Sequence, residues 1–377
     1  MGVAIAVTRE RSAGETRVAA TPDSVRKLRQ LGAEVTIESG AGEAASFSDA
    51  AYVEAGATIA PDPAAALKGA NLLFKVRAPS PEDMAALPKG AVVAAMLDPH
   101  RDRAMLESLA ERGATAFAME FVPRISRAQA MDVLSSQANL AGYRSVIEAA
   151  QVYGRAFPMM MTAAGTIAAA KCFVMGAGVA GLQAIATARR LGAVVTATDV
   201  RSAAKEQVES LGARFIAVED EEFKQAETAA GYAREMSEAY RAKQAELVAG
   251  HIQKQDVVIA TALIPGRPAP RLVSAAHVAS MKAGSVIVDL AVEQGGNCEL
   301  SRPGEIAITD NGVKIVGLFN LPGRVAADAS GLYARNLTAF AGLMIKDGAL
   351  LVDFDDEIVK GACVTRDGAI VHPSLLS

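Results

Sequence analysis

Along residues 1–120, short apolar runs alternate with segments whose apolar residues recur at helical spacing. Val3–Val7, Glu34–Glu38, Asn71–Val76, Ala91–Met96 and Ala114–Ala118 predict strands. A helix is expected from Pro22, with Thr21 as its cap and proline at its first position, ending at Leu31-Gly32. Further helices are expected at Phe47–Ala55, Glu82–Leu87 and Asp102–Arg112. Strands separated by helices indicate a parallel sheet covered on both faces.

A long helical stretch follows, from about Ser126 to Ala156, closed by Phe157-Pro158. The alternation then resumes. Lys171–Met175 reads as a strand, Val179–Leu191 as a helix and Ala193–Thr198 as a strand; Ala213–Val218, Val257–Thr261 and Ser285–Leu290 continue the sheet. Ile306–Thr309 and Val313–Val316 flank Asp310-Asn311-Gly312, which predicts a hairpin with a type I′ turn. Glu219–Gln255 reads as a charged crossover with helical character. Ser330–Phe340 is helical, and the tail from Ala349 holds short strands expected to pack back on the first domain.

With 377 residues there is room for two cores, and 51% apolar against 21% charged residues is a globular composition. The net charge of −4 gives no basic face for nucleic acid. Three cysteines without CxxC spacing and four histidines without an HxxxH pair offer no metal site and no disulfide scaffold. The start MGVAIAVTRER has no secretory pattern. Phe157–Ala170 is the most membrane-like stretch, but it is too short to span a bilayer. The sequence therefore predicts a protein without direct membrane insertion.

The segment KCFVMGAGVAGLQAIATARRLGAVVTATD carries the strongest chemical signal. Gly176-x-Gly178-x-x-Gly181 follows a strand and opens a helix, where a dinucleotide pyrophosphate is held. The first glycine makes the tight turn, the second admits the phosphates, and the third allows close helix–strand packing. Val179 and Ala180 supply amides at the helix N-terminus. Asp199 ends the next strand, 18 residues past Gly181, where an acid accepts from ribose hydroxyls and disfavours a 2′-phosphate. NAD(H) is thus expected over NADP(H). Arg201, beside Val200, weakens that preference, since an arginine can receive the extra phosphate. Ala262 and Leu263, after Val257–Thr261, are expected to border the nicotinamide side.

Ahead of this unit lies a polar segment, Pro123 to Gln137. Gln129, Asp132 and Ser135 are spaced three apart and would lie near one face of a helical turn, with Arg124 adding a fork of donors. Such groups suit a nicotinamide carboxamide and ribose. An ordinary capped helix start, with Ser126 as the cap, explains the same spacing. No Ser–His–Asp or Cys–His arrangement appears, and hydride transfer needs none.

Over essentially its whole length the chain resembles the NAD(H)-binding component of the proton-translocating transhydrogenases. RERSAGETRVAATP, PRISRAQAMDVLSSQANLAGYR, FPMMMTAAGT, GAGVAGLQAIATARRLGAVVTATDVR, KEQVESLGA, TALIPGRPAP, DLAVEQGGNC and CVTRDGAIVHP carry the resemblance. It implies an α/β fold of two Rossmann-like domains with parallel sheets, separated by a nucleotide-binding cleft. Residues 1–135 with 326–377 would form the N-terminal domain, and 136–325 the NAD(H)-binding domain. It further implies a homodimer with two partners, a membrane-spanning subunit and a subunit that binds NADP(H). The chain would sit in the cytoplasm, peripheral on the inner membrane through those partners. Hydride would pass from NADH to NADP⁺ on the partner, coupled to proton translocation. Arg124, Gln129, Asp132 and Ser135 match the family's nicotinamide loop, and Arg124, Gln129 and Asp132 would be catalytic; Gly231-Tyr232 matches its closing loop.

Alanine dehydrogenase shares this fold and is the alternative, beside a non-catalytic NAD-binding module. It needs a substrate-binding arginine, a lysine and a catalytic histidine. Arg17 and Lys75 match the first two, but Met96 stands at the histidine position, with His100 four residues on. Glu293 replaces the aspartate expected before Gly295-Gly296. These departures count against amino-acid oxidation and leave Arg17 and Lys75 as fold relics or cleft-wall residues.

Overall fold

A computed structural model describes residues 2–224, 237–264 and 266–376. The chain forms two compact units, Met1–Gln137 with Pro322–Ser377, and Ala138–Leu321.

The first unit is built on an eight-stranded sheet. Its order is Ala369–Ile370, Cys363–Arg366, Thr115–Ala118, Val92–Ala95, Leu72–Phe74, Val3–Val7, Ala33–Glu38 and Thr58–Ala60. The last six are mutually parallel, and Val3–Val7 pairs with Ala33–Glu38 on one side and Leu72–Phe74 on the other. The returning tail adds Cys363–Arg366 antiparallel to Thr115–Ala118, which ties the C-terminus to this unit. Successive side chains of each strand go to opposite faces. Val3, Ile5, Val7, Leu72 and Phe74 join one core, while Ala6 and Leu73 join the other. Both faces are buried, which is why these strands read as continuous apolar runs.

The second unit holds a seven-stranded sheet in the order Arg214–Phe215, Val194–Thr198, Lys171–Met175, Val257–Ala260, Val286–Asp289, Lys314–Val316, Ile306–Ile308. Only the final pair is antiparallel. The winding reverses at Lys171–Met175, between Val194–Thr198 and Val257–Ala260, so the switch point falls at the mouth of the glycine loop.

Local details differ from the expectations. The stretch from Ser126 is two elements: a 3-10 turn, Ser126–Met131, and a helix, Val133–Tyr153, with Asp132 in extended conformation between them. Ser126 caps neither. The helix stops at Gly154, in the left-handed region at φ 71, before Phe157-Pro158 is reached. Phe157–Ala170 contains an antiparallel hairpin, Met160–Thr162 with Gly165–Ile167, whose residues are exposed. The Asp310-Asn311-Gly312 hairpin forms, but Asn311 is not at positive φ; only Gly312 is, at 81°. Thr309 and Val313 close a three-residue loop, a type I turn with a glycine bulge.

Candidate functional site

The glycine loop leaves the carboxyl end of Lys171–Met175. Gly176 sits at φ 102, which an L side chain resists, and a Cβ there would lie 2.6 Å from Thr261 Oγ1. Gly181 faces a harder limit: its Cβ would fall 1.8 Å from the Gly176 carbonyl oxygen. Gly178 differs from both. At φ −75 and ψ −169 it suits any residue, and a Cβ would meet nothing within 4 Å. Its bareness serves no internal packing and leaves room for a ligand to approach the backbone.

Gly178 is also the N-cap of the Val179–Arg190 helix, 12 residues long, and offers no side-chain cap. The first intrahelical bond runs from the Leu182 amide to Gly178 O. The amides of Val179, Ala180 and Gly181 precede it, at the positive end of the helix dipole. This is the donor set that a pyrophosphate needs.

Asp199 follows Val194–Thr198 and closes the loop from the side. Its Oδ2 accepts the Ala177 amide at 2.7 Å and Arg201 Nη2 at 3.1 Å. Its Oδ1 accepts the Arg201 amide at 2.8 Å and Nε at 3.0 Å. The Arg201 guanidinium is therefore turned onto Asp199. Val200 beside it is exposed.

The loop after Val257–Ala260 is more than a connection. Thr261 Oγ1 donates to Gly176 O at 3.0 Å. Asn297, fully buried, accepts the Ala262 amide at 3.0 Å and donates to Ala262 O and Pro270 O, each at 2.9 Å. Asn297 is held in turn by Asp289, which accepts the amides of Ala291, Asn297 and Cys298 and the Ser301 hydroxyl. Gly296 at φ 80 lets that loop close, for a Cβ would lie 2.8 Å from Asp289 Oδ2. The result is a braced shelf on which Leu263 and Ile264 are exposed. Asp289 and Asn297 were not singled out from the sequence. An acid at a strand end followed by Gly-Gly-Asn is the signal that marks them.

The polar segment belongs to the other unit. Gln129 lies on the 3-10 turn, Asp132 at its exit, and Ser135 in the first turn of the next helix. The shared helical face is thus not formed. Asp132 instead caps the helix: Oδ1 accepts the Ser135 amide at 2.8 Å and Oδ2 the Ser135 hydroxyl at 2.6 Å. Arg124 and Gln129 are exposed. Arg127 grips Asp356 through both terminal nitrogens, at 2.7 and 3.0 Å. Gly231 and Tyr232 lie outside the described residues. Among the described residues no group of three or more His, Cys, Asp or Glu is placed to hold a metal ion. No described helix is long and apolar enough to cross a membrane.

Two family models match nearly end to end: "Alanine dehydrogenase/PNT, N-terminal domain" over residues 6–141 and "Alanine dehydrogenase/PNT, C-terminal domain" over residues 145–373. The chain belongs to the alanine dehydrogenase/PNT family. Within it, the chain is 57% identical to an NAD(P) transhydrogenase alpha subunit of Rhodospirillum rubrum, with 98% of each covered. It also matches the crystal structure of transhydrogenase from Sinorhizobium meliloti at 54% identity and a TM-score of 0.90, covering 98% of this chain and 100% of that one. An L-alanine dehydrogenase structure matches at 27% identity and a TM-score of 0.84, covering 99% and 98%. The family gives the chain an oxidoreductase role on a nicotinamide nucleotide, and the transhydrogenase alpha subunits are the branch it resembles more.

The two cations of the first unit behave accordingly. Arg17 is buried and gives Nε and Nη2 to the Glu15 carboxylate at 2.7 and 2.6 Å, and Nη1 to Gln137 Oε1 at 2.8 Å. Burial would raise Glu15, but Arg17, joined by Arg77, holds it down to about 2. Lys75 Nζ, also buried, donates to Arg9 O at 2.7 Å and lies 3.3 Å from Asp83 and 3.5 Å from Glu10. Burial pushes Glu10 up despite Lys75. Asp83, though also desolvated, is held down by the closer cation. Met96 packs against the core, and the His100 ring lies 5.2 Å from that of Phe121, tilted by 54°.

Proposed function

We propose that the chain is the NAD(H)-binding subunit of a proton-translocating transhydrogenase. Hydride passes directly between NAD(H) here and NADP(H) on a partner subunit, beside a membrane-spanning partner and a second copy of this chain. The observation that carries this reading is the state of Arg17 and Lys75. Both are engaged by buried internal carboxylates, which counts against a role in receiving the carboxylate of a small amino or keto acid. With Met96 where a dehydrogenase would need histidine, a second nucleotide is the better hydride partner.

Gly176, Gly178 and Gly181 with the amides of Val179 and Ala180 hold the pyrophosphate; Asp199, with Val200 and Arg201, receives the adenosine ribose; and Ala262 and Leu263 border the ring. The pairing of Arg201 with Asp199 supports NAD(H), since the guanidinium is already engaged. Arg124, Gln129, Asp132 and Ser135 serve the nicotinamide end, orienting the carboxamide and ribose. Gly231-Tyr232 is the loop proposed to close. The bound nicotinamide supplies the hydride, and the protein supplies alignment and dryness. Met161 on the hairpin and Met159 just before it, 77% and 55% exposed, offer apolar surface to the second copy.

The test mixes the chain with an NADP(H)-binding transhydrogenase subunit and follows transfer from NADH to an NADP analogue of distinct absorbance. No transfer with both nucleotides bound overturns the proposal. The dehydrogenase alternative predicts NADH oxidation by pyruvate and ammonia without a partner. The non-catalytic module predicts NADH binding with Gln129→Asn and Asp132→Asn functionally silent.

A further inference from the structure

Three polar side chains line one stripe of the Ala326–Met344 helix, and each ties it to a different loop. Ser330 Oγ accepts the Val18 amide at 3.0 Å, the Tyr333 hydroxyl donates to Lys75 O at 2.8 Å, and Asn336 Nδ2 donates to Ala130 O at 2.8 Å. The last is the one that concerns the polar turn, because Ala130 sits between Gln129 and Asp132. Asn336 Oδ1 accepts the Ser136 hydroxyl at 2.8 Å. One buried amide thus spans the break between the 3-10 turn and the helix, holding a carbonyl before it and a hydroxyl after it.

The contacts continue inward. Gln137 Nε2 donates to Ser136 Oγ at 3.3 Å and to Ala329 O at 3.1 Å, and its Oε1 accepts Arg17 Nη1 at 2.8 Å. Arg17 ends on Glu15. Arg17, Gln137 and Asn336 are 3%, 6% and 7% exposed, so each unmade bond would be left in a low-dielectric interior. Such a chain fixes the position of what it ends on. Its outer end is the Ala130 carbonyl, in the backbone between Gln129 and Asp132, the residues proposed to meet the nicotinamide.

We propose that Asn336 is a positioning residue for hydride transfer, the outer link of a buried relay from Glu15 through Arg17, Gln137 and Ser136 to the backbone at Ala130. It touches neither nucleotide; it sets where Gln129 and Asp132 stand. This rests on the reading of that turn as the nicotinamide end of the site. It also gives Arg17 a present use, as the buried anchor of the relay.

The test measures NADH affinity and the rate of hydride transfer to an NADP analogue on the NADP(H)-binding subunit. It uses Asn336→Ala, Gln129→Asn and the double variant. Misplacement of about 1 Å can cost as much as a hundredfold, so Asn336→Ala is expected to slow transfer roughly tenfold or more. NADH affinity, set at the glycine loop, should change less than about threefold, since no bond to the ligand is removed. Because Asn336 acts through the turn, its effect should shrink to about twofold or less once Gln129→Asn is present, as coupled residues do in a double-mutant cycle. Full additivity overturns the relay. So does normal transfer in Asn336→Ala when Gln129→Asn is slow. If Gln129→Asn is itself silent, the turn has no part in transfer and both proposals fall. Should Asn336→Ala fail to fold by circular dichroism, Ser136→Ala takes its place, removing the same relay one bond further in.

Discussion

The three glycines of the loop should fail for three different physical reasons when each is changed to alanine. Gly181→Ala places a methyl 1.8 Å from a backbone oxygen, where nothing can rotate away, so helix and strand must separate. Overpacking of this kind costs about 1–3 kcal/mol or more, a fall in Tm of about 2–4 °C for each kcal/mol in a domain of this size. Gly176→Ala meets the movable Thr261 hydroxyl at 2.6 Å, but it must also hold φ 102, which costs an alanine about 1–2 kcal/mol. Gly178→Ala meets nothing. Its loss of N-cap preference, about 0.5–1 kcal/mol, is offset by a similar loss of freedom in the unfolded chain. Stability should hold while NADH binding suffers, because the methyl stands where the phosphates approach. Loss of one charge-assisted hydrogen bond is about 1.5–3 kcal/mol, roughly 10- to 150-fold in Kd. Thermal melts without nucleotide and fluorescence titration with NADH separate the three. A Gly178→Ala that melts as early as Gly181→Ala yet binds NADH normally would refute these three roles.

Asp199→Asn should weaken NADH binding by about 1–3 kcal/mol and narrow the preference over NADPH; calorimetric titration with both nucleotides checks this, and unchanged affinities exclude Asp199 as the ribose ligand. Glu15, held down to about 2, contributes stability that is complete above its unfolded value near 4.5 and is lost as pH falls toward 2, on the order of 3 kcal/mol. Glu120 acts in the opposite sense. Burial raises it to about 7 although the Leu97 and Asp98 amides donate to it, so the folded form holds its proton longer and stability should decline between about pH 4.5 and 7. Denaturant melts across pH should show that decline in the parent and not in Glu120→Gln. Met161→Lys on the exposed hairpin should raise the monomer fraction in sedimentation at fixed concentration, and an unchanged profile removes that surface from the proposed dimer.

What the sequence made legible is what is local along the chain. The glycine loop needs a strand, three glycines, a helix and an acid, and all of them read in order between Lys171 and Asp199. The parallel sheets were legible for the same reason, since each strand and crossover helix is a contiguous block. Short pieces whose signals are faint were lost, such as the edge strand Thr58–Ala60 and the helix Pro63–Leu67. The break at Asp132 was hidden because Ser126–Met131 is rich in helix formers; the Asp132–Ser135 capping contact, rather than propensity, decides where the helix starts. The brace on Ala262 was hidden by distance, since Asn297 lies 35 residues away. Asn336 was more so, 206 residues from the carbonyl it holds. In a helix read for its apolar stripe, a single asparagine is indistinguishable from a surface residue until its partners are known.

Arg17 and Lys75 show why matching residues do not imply a matching site. Arg17 commits three of its five N–H donors inside the fold, two of them to a Glu15 carboxylate whose side chain is 1% exposed. Breaking a buried pair by removing one partner costs about 3–5 kcal/mol, because the remaining charge has no water to turn to. A substrate that binds with a millimolar Kd supplies only about 4 kcal/mol in total. A ligand that displaced Glu15 would at best break even before any cost of its own ordering. Lys75 is in the same position, with Asp83 and Glu10 on either side and the Arg9 carbonyl at 2.7 Å. Both cations are thus compensated by neighbouring charge within the fold. Glu15, in the segment Arg9–Pro22, is the residue that holds Arg17. Through Gln137, Ser136 and Asn336, the same pairing gives the turn that carries Gln129 and Asp132 a rigid footing.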